Sequence, residues 1–157
     1  MKQVVMLIAS TFTLTALAAA QSMTIDGKLE LKVTKVERVT EWEAPGARAS
    51  ALTSASSGNE FAKVHFTPRW LAGASGDPCS SKTGYIEPGT YELLFGRGGS
   101  VRGMQSETSW GPNSSGCAEF TVLFQESPAG ASLTKVRVKG SEADISKLQG
   151  AQGTGDR

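Results

Sequence analysis

Short apolar runs with a period of two, separated by glycine, serine and proline clusters, decide the fold class of this chain. Phe120, Val122 and Phe124 alternate with other residues, and side chains two positions apart on a strand share one face. The same kind of run recurs at Leu29–Val39, Phe61–Thr67, Tyr91–Phe95, Ser100–Met104 and Leu133–Val138. The pattern therefore predicts an all-β protein built from short strands.

The first long run contains a change of phase. Its apolar positions are Leu29, Leu31 and Val33, and then Val36 and Val39. An extra residue in a strand shifts the alternation in this way, so a β-bulge is predicted between Val33 and Val36.

The segments between the runs are predicted as connections. Residues 43–59 and 105–117 are rich in turn-forming and polar residues and are expected to be loops. Pro68 is expected to end the second strand or to mark an edge. Ser141 is a candidate N-cap for about two helical turns up to Gln149, followed by a disordered tail.

The first twenty residues resemble an export signal. Lys2 precedes an apolar stretch from Val4 to Leu17, and small residues follow at Ala18–Ala20. Serine and threonine interrupt this stretch, so it lacks the roughly 18 apolar residues of a spanning helix. We expect residues 1–20 to be a removed signal peptide, residues 21–140 a single domain and residues 141–157 a short helix or disordered tail. The protein is then exported, periplasmic or extracellular, with no membrane anchor after cleavage.

The charge balance argues against a nucleic-acid partner. The chain carries 16 Lys and Arg against 15 Asp and Glu, and the predicted cleavage removes only Lys2. A nucleic-acid-binding protein needs a basic stripe that neutralises phosphates. Because acidic and basic residues are interspersed here, neither nucleic acid nor anionic lipid is an expected ligand.

The two cysteines, Cys79 and Cys117, both follow the predicted signal. Export to an oxidising compartment favours a disulfide between them, and two buried free thiols are the alternative. A loop of this length would stabilise the fold by roughly 4 kcal/mol in the chain-entropy model. Zinc sites need additional ligands, so no metal and no cofactor are expected.

Few residues of the chain could form a catalytic site. A serine hydrolase needs a base beside its nucleophile, and His65 is the one histidine of the chain. Glu41 and Glu43 are the nearest acidic pair for glycoside hydrolysis, but solvated charges at a strand end explain them better. We expect no enzyme; an enzyme with a loop-borne site that uses His65 or the two glutamates is the competing hypothesis.

Three tryptophans, Trp42, Trp70 and Trp110, lie at predicted strand ends or next to turns. Exposed aromatic faces could form a platform for a sugar or a peptide. Burial in the core or beneath a loop is the favoured alternative, because most aromatic side chains of small domains pack in the core.

The order of the segments resembles a known family. The strand LELKVTKVERV at 29–39, FAKVHFT at 61–67, YELL at 91–94 and AEFTVLFQESPAGASLTKVRVKG at 118–140 are similar to the telokin-like, immunoglobulin-like domain of unknown function found in exported bacterial proteins and lipoproteins. The resemblance implies an immunoglobulin-like antiparallel β-sandwich in the bacterial cell envelope. Many members carry a lipid-anchored cysteine at the cleavage site, whereas residues 19–22 here are Ala-Ala-Gln-Ser.

Together these observations predict an exported, non-catalytic binding or structural module of the cell envelope. Its expected partners are an envelope protein, a peptide or a glycan, recognised through loops. The candidate contact surfaces are the 43–59 loop and the loops that carry Trp70 and Trp110.

Overall fold

The computed structural model describes residues 21–44, 52–111 and 116–148; the predicted signal and the end of the predicted tail lie outside them. Within these ranges the chain forms mainly strands and turns, and single 3₁₀ turns lie at Ser81–Thr83 and Pro88–Thr90. The strands are β1 (Ser22–Ile25), β2 (Leu29–Val39), β3 (Glu41–Glu43), β4 (Leu52–Ser54), β5 (Asn59–Trp70), β6 (Tyr91–Phe95), β7 (Ser100–Trp110), β8 (Cys117–Phe124), β9 (Ser127–Pro128), β10 (Leu133–Val138) and β11 (Ser141–Asp144).

One antiparallel sheet contains all of these strands except β3 and β4, which form a separate two-stranded ribbon. Its order is β1-β2-β5-β8-β7-β6-β10-β11, with β9 paired to β5. The sheet nearly closes, because the Ser141 hydroxyl of β11 donates a hydrogen bond of 2.7 Å to the Thr24 carbonyl of β1. The all-β antiparallel prediction is confirmed; its finer form, an immunoglobulin-like sandwich, stays a prediction.

The bulge predicted in the first long strand is confirmed. Leu29, Leu31 and Val33 are fully buried, and Val36 is nearly so. The register of β2 against β5 shifts between Val33 and Lys35. The extra residue moves the buried side of the strand by one position, so β2 keeps an apolar face on the core along most of its length.

The second predicted strand is longer than expected. β5 continues past Thr67 through Pro68 to Trp70, and Pro68 lies opposite Leu31 of β2. On its other side, pairing with β8 ends at Phe66. A proline is tolerated where a strand has lost one neighbour, since no ladder bond then needs its missing N–H. Pro68 therefore marks an edge, and β5 carries Trp70 to the end of the sheet.

Aromatic packing fills the centre of the enclosed core. The Phe66 and Phe120 rings stack at 5.0 Å, and Tyr91 lies 5.3 Å from Phe66. The Tyr91 hydroxyl donates a 2.5 Å hydrogen bond to the Tyr85 carbonyl, and burial raises the pKa of this phenol. Each such buried side chain contributes about 1.5–3 kcal/mol to stability, so these residues tie β5, β6 and β8 together.

The predicted C-terminal helix is wrong. Residues Ser141–Asp144 form strand β11, which pairs with β10. Ala143 and Ile145, two positions apart, are both buried, as strand geometry requires and helix geometry does not. The folded domain therefore extends beyond residue 140 to Leu148, where the described residues end.

Two of the predicted loops contain strands. In the 43–59 segment, Leu52–Ser54 pairs with Glu41–Glu43, and residues 45–51 lie outside the described ranges. In the 105–117 segment, β7 continues to Trp110 along β8. Backbone pairing with a neighbour overrides the polar composition of such residues.

The neighbours of β10 in the sheet are β6 and β11. β8 lies elsewhere in the sheet, between β5 and β7, although only a short connection separates it from β10 along the chain. β9 occupies the connection and pairs with the start of β5.

Substitution of Gly103 tests the close packing of β7. A Cβ atom at this buried position would overlap the Pro88 carbonyl and approach Val122 Cγ1 to 2.8 Å. We expect Gly103→Ala to lower the free energy of unfolding by about 1–3 kcal/mol, the usual effect of overpacking. Gly89→Ala is the control, because no atom lies within 4 Å of a Cβ built there. Urea unfolding of both variants measures the difference, and equal stabilities would contradict the packing described.

Candidate functional site

The disulfide between Cys79 and Cys117 fixes the longest strand-free connection among the described residues. The two Cα atoms are 5.7 Å apart, within the roughly 4.4–6.8 Å that disulfides span. The bridge joins the 71–90 connection between β5 and β6 to the first residue of β8. The prediction of a bridge, rather than two free thiols, is confirmed.

The order of the sheet brings two strand ends to the same edge. β8 runs antiparallel to both of its neighbours, β5 and β7. Those two strands therefore run in the same direction and end where β8 begins. Their last residues are Trp70 and Trp110, and the first residue of β8 is Cys117.

A cleft lies at this edge, and we call it the Trp70–Trp110 cleft. It is open to solvent and its volume is about 480 Å³, within the range of about 300–1,000 Å³ typical of small-ligand sites. Its lining residues are Pro68, Trp70, Gly76, Asp77, Pro78, Trp110, Gly116 and Cys117. The disulfide thus forms part of the wall.

The two tryptophans of the cleft are held differently. The Trp70 indole N–H donates a 2.6 Å hydrogen bond to the Gly76 carbonyl, and its ring packs edge-on against Tyr85 at 5.8 Å. Trp110 is 56% exposed. The cleft is therefore lined by one fixed tryptophan ring and one accessible tryptophan ring, and both could offer apolar surface to a ligand.

Trp42 lies elsewhere. It is the central residue of β3 and packs edge-on against Phe61 with 6.4 Å between ring centroids. It lines a much smaller cavity with residues of β5, β7 and β8, and its buried indole nitrogen has no hydrogen-bond partner within the described part of the chain. Of the three predicted platform residues, the structure brings together Trp70 and Trp110 but not Trp42.

Asp77 is a residue of the cleft that sequence reasoning did not select. Its Oδ1 atom accepts a 2.9 Å hydrogen bond from the Cys79 N–H. The Asp77-Pro78 pair signals a turn, and that signal gives no indication that the turn faces two tryptophans.

His65, the predicted catalytic base of the enzyme hypothesis, is held between two carboxylates. Its Nε2 atom lies 2.9 Å from Glu37 Oε2, and its Nδ1 atom lies 3.1 Å from Glu119 Oε1. The Thr121 hydroxyl is 3.2 Å from Nδ1. Opposite ring nitrogens face the two carboxylates, so this arrangement links β2, β5 and β8.

The predicted acidic pair belongs to the ribbon. Glu41 and Glu43 lie at the two ends of β3, and Glu41 accepts a 3.4 Å hydrogen bond from the Ser54 hydroxyl. Within the described ranges, no group of three or more His, Cys, Asp or Glu residues could hold a metal ion. Across the same residues, no helix combines the length and hydropathy that a membrane crossing requires.

Glu37 has a pKa below its usual value of 4.5. The first cause is a hydrogen bond from the Lys35 ammonium, and the second is the contact with His65. Both contacts favour the ionised carboxylate.

The acid stability of the protein should depend on Glu37. A lowered folded-state pKa means that the ionised group stabilises the fold above about pH 4.5 and that this contribution is lost as the pH falls further. We expect Glu37→Gln to lower stability at pH 6 by less than about 1 kcal/mol, since the pair is partly exposed, and to flatten the fall in stability below pH 4.5.

Chemical unfolding between pH 3 and pH 6 measures this effect. The control is Glu43→Gln, at an exposed position at the end of β3, which should keep the wild-type profile. A Glu37→Gln profile parallel to wild type would contradict the prediction.

Reduction of the disulfide should destabilise the protein by about 4 kcal/mol, because the unfolded chain then regains the freedom of a loop closed across 38 positions. Urea unfolding with and without reductant measures the loss, and Cys79→Ser with Cys117→Ser should reproduce it. An unchanged midpoint on complete reduction, verified by thiol labelling, would show that the bridge does not stabilise the fold.

Comparison of the chain with protein-family models, with curated proteins and with solved structures gives no match. The functional assignment therefore rests on the geometry of the Trp70–Trp110 cleft and of the contacts around His65. Of the two, the cleft is the arrangement with room for a ligand, because each ring nitrogen of His65 already faces a carboxylate.

Proposed function

We propose that the protein is an exported, non-catalytic binding module of the bacterial cell envelope and that the Trp70–Trp110 cleft is its ligand site. The observation that carries this proposal is the open cleft of about 480 Å³ that two tryptophans help to line. Tryptophan is among the residues that dominate binding energy, because it offers a large, rigid apolar surface.

Two independent features support export. Residues 1–20 have the composition of a signal peptide. The Cys79–Cys117 disulfide is of the kind that persists in an oxidising compartment and is rare in the cytosol. An envelope module exposed to such conditions gains from a covalent tether on its longest connection.

The family proposed for the chain is the telokin-like, immunoglobulin-like domain. The segments that carry the resemblance fall on β2, β5, β6, β8 and β10, which are all inner strands of the sheet. An immunoglobulin-like sandwich is the proposed finer description of this antiparallel fold.

A binding role is favoured over catalysis by the surroundings of His65. A general base must reach both a nucleophile and an orienting group. Here Glu37 and Glu119 face the two ring nitrogens, so the imidazole already serves as a bridge between neighbouring strands.

Capture from envelope extract tests the proposed site. Immobilised, disulfide-bonded protein should retain a component that Trp110→Ala releases, because loss of a central aromatic contact costs about 2 kcal/mol or more of binding free energy. The control is Leu52→Ala on β4, because Leu52 is an apolar residue about as exposed as Trp110 (57% against 56%) but does not line the cleft. Retention by Trp110→Ala equal to that by Leu52→Ala would refute the cleft as the ligand site.

A further inference from the structure

The side chains of the Trp70–Trp110 cleft offer π faces and a negative charge. They comprise two indoles, two prolines, a disulfide sulfur and the carboxylate of Asp77. Among the described lining residues there is no lysine, arginine or histidine. The charge of these residues therefore favours a cation and disfavours an anion.

The carboxylate of Asp77 is oriented by the backbone. Its Oδ1 atom accepts the Cys79 N–H, and Cys79 is itself fixed by the disulfide. Among the hydrogen bonds of the described residues, none engages Oδ2. One oxygen of an anchored carboxylate is therefore available to a ligand, with little side-chain freedom to lose on binding.

The indole of Trp70 contributes its face rather than its N–H group. The N–H already donates to the Gly76 carbonyl, so a ligand in the cleft meets the electron-rich ring. Ring faces of tryptophan attract cations more strongly than those of tyrosine or phenylalanine. Trp110, a second lining residue of the cleft, offers an accessible ring.

The aromatic pair of Trp70 and Tyr85 already binds a cation. Tyr85, which packs edge-on against Trp70, carries the Lys139 ammonium at 4.7 Å from its ring centroid. Lys139 also faces the carboxylate of Asp26 at 3.5 Å. An ammonium held between an aromatic ring and a carboxylate is thus an interaction that this fold already contains.

From these observations we infer that the Trp70–Trp110 cleft binds an arginine side chain of a partner protein or peptide. The inference rests on the proposed function of the cleft as a ligand site. A guanidinium stacks on indole faces and donates to a carboxylate through its planar fork. A neutral glycan fits less well, because its hydroxyls need donors as well as acceptors, and indole N–H groups are the sole side-chain donors among the described lining residues.

A pair of matched peptides tests the charge requirement. Acetyl-Gly-Arg-Gly-amide is titrated into the disulfide-bonded protein by calorimetry, alongside the same peptide with citrulline, a neutral isostere of arginine. The arginine peptide should bind at least about tenfold more tightly, and its affinity should fall as salt is raised, because exposed charges are screened. Equal affinity for the two peptides, or no binding of either, would overturn the inference.

Variants assign the binding to the cleft. Asp77→Asn keeps an oxygen for the Cys79 N–H but removes the charge. It should weaken the binding of the arginine peptide about tenfold, which corresponds to roughly 1.4 kcal/mol of binding free energy. Glu87→Gln is the matched control, because it removes one negative charge from the same connection at an exposed side chain that caps no helix. Equal effects of the two substitutions would show general electrostatics rather than a site at Asp77.

A neutral oligosaccharide, cellotetraose, separates this inference from the proposed function. If cellotetraose binds, Trp110→Ala abolishes that binding and the arginine peptide does not bind, the inference of a cationic ligand is refuted. The cleft would then remain the proposed ligand site. If neither the arginine peptide nor cellotetraose binds, and Trp110→Ala leaves capture from envelope extract unchanged, then both the arginine ligand and the cleft as ligand site are refuted.

Discussion

The disulfide between Cys79 and Cys117 is the constraint on which the candidate site depends. The connection from Leu71 to Thr90 contains two isolated 3₁₀ turns and no strand, so few ladder bonds fix its path. The bridge anchors it to the start of β8, and Asp77 is then fixed through the Cys79 N–H. Without the bridge, one wall of the cleft would lose its covalent link to the sheet.

The other walls follow from the lengths of two strands. β5 reaches Trp70 because β2 continues to pair with it after β8 has ended, and β7 reaches Trp110 because β8 pairs with it from Cys117 onward. Since β5 and β7 flank β8, both end at one edge. The stacked Phe66 and Phe120 rings join β5 to β8 in the core, so packing of the core also determines the separation of the tryptophans.

Strands with strict alternation, such as β8 and the first half of β2, were predictable because their own side chains define the buried face. β11 and the ends of β5 and β7 were not, since a polar segment becomes a strand only when a neighbour supplies the ladder. The sequence pointed to Trp70 and Trp110 as candidate binding residues. It did not show that they lie at one cleft, because their proximity depends on the order of the strands in the sheet. Asp77 gave a turn signal and no indication of which surface that turn would face.

The proposed ligand site is tested most directly by the three indole N–H signals in a nitrogen-edited nuclear magnetic resonance spectrum. With the disulfide intact, titration with acetyl-Gly-Arg-Gly-amide should shift the signals of Trp70 and Trp110 and leave that of Trp42 in place, because Trp42 lies against Phe61 on the ribbon of β3 and β4. Shifts confined to Trp42, or three unmoved signals at saturating peptide, would contradict a ligand site between Trp70 and Trp110.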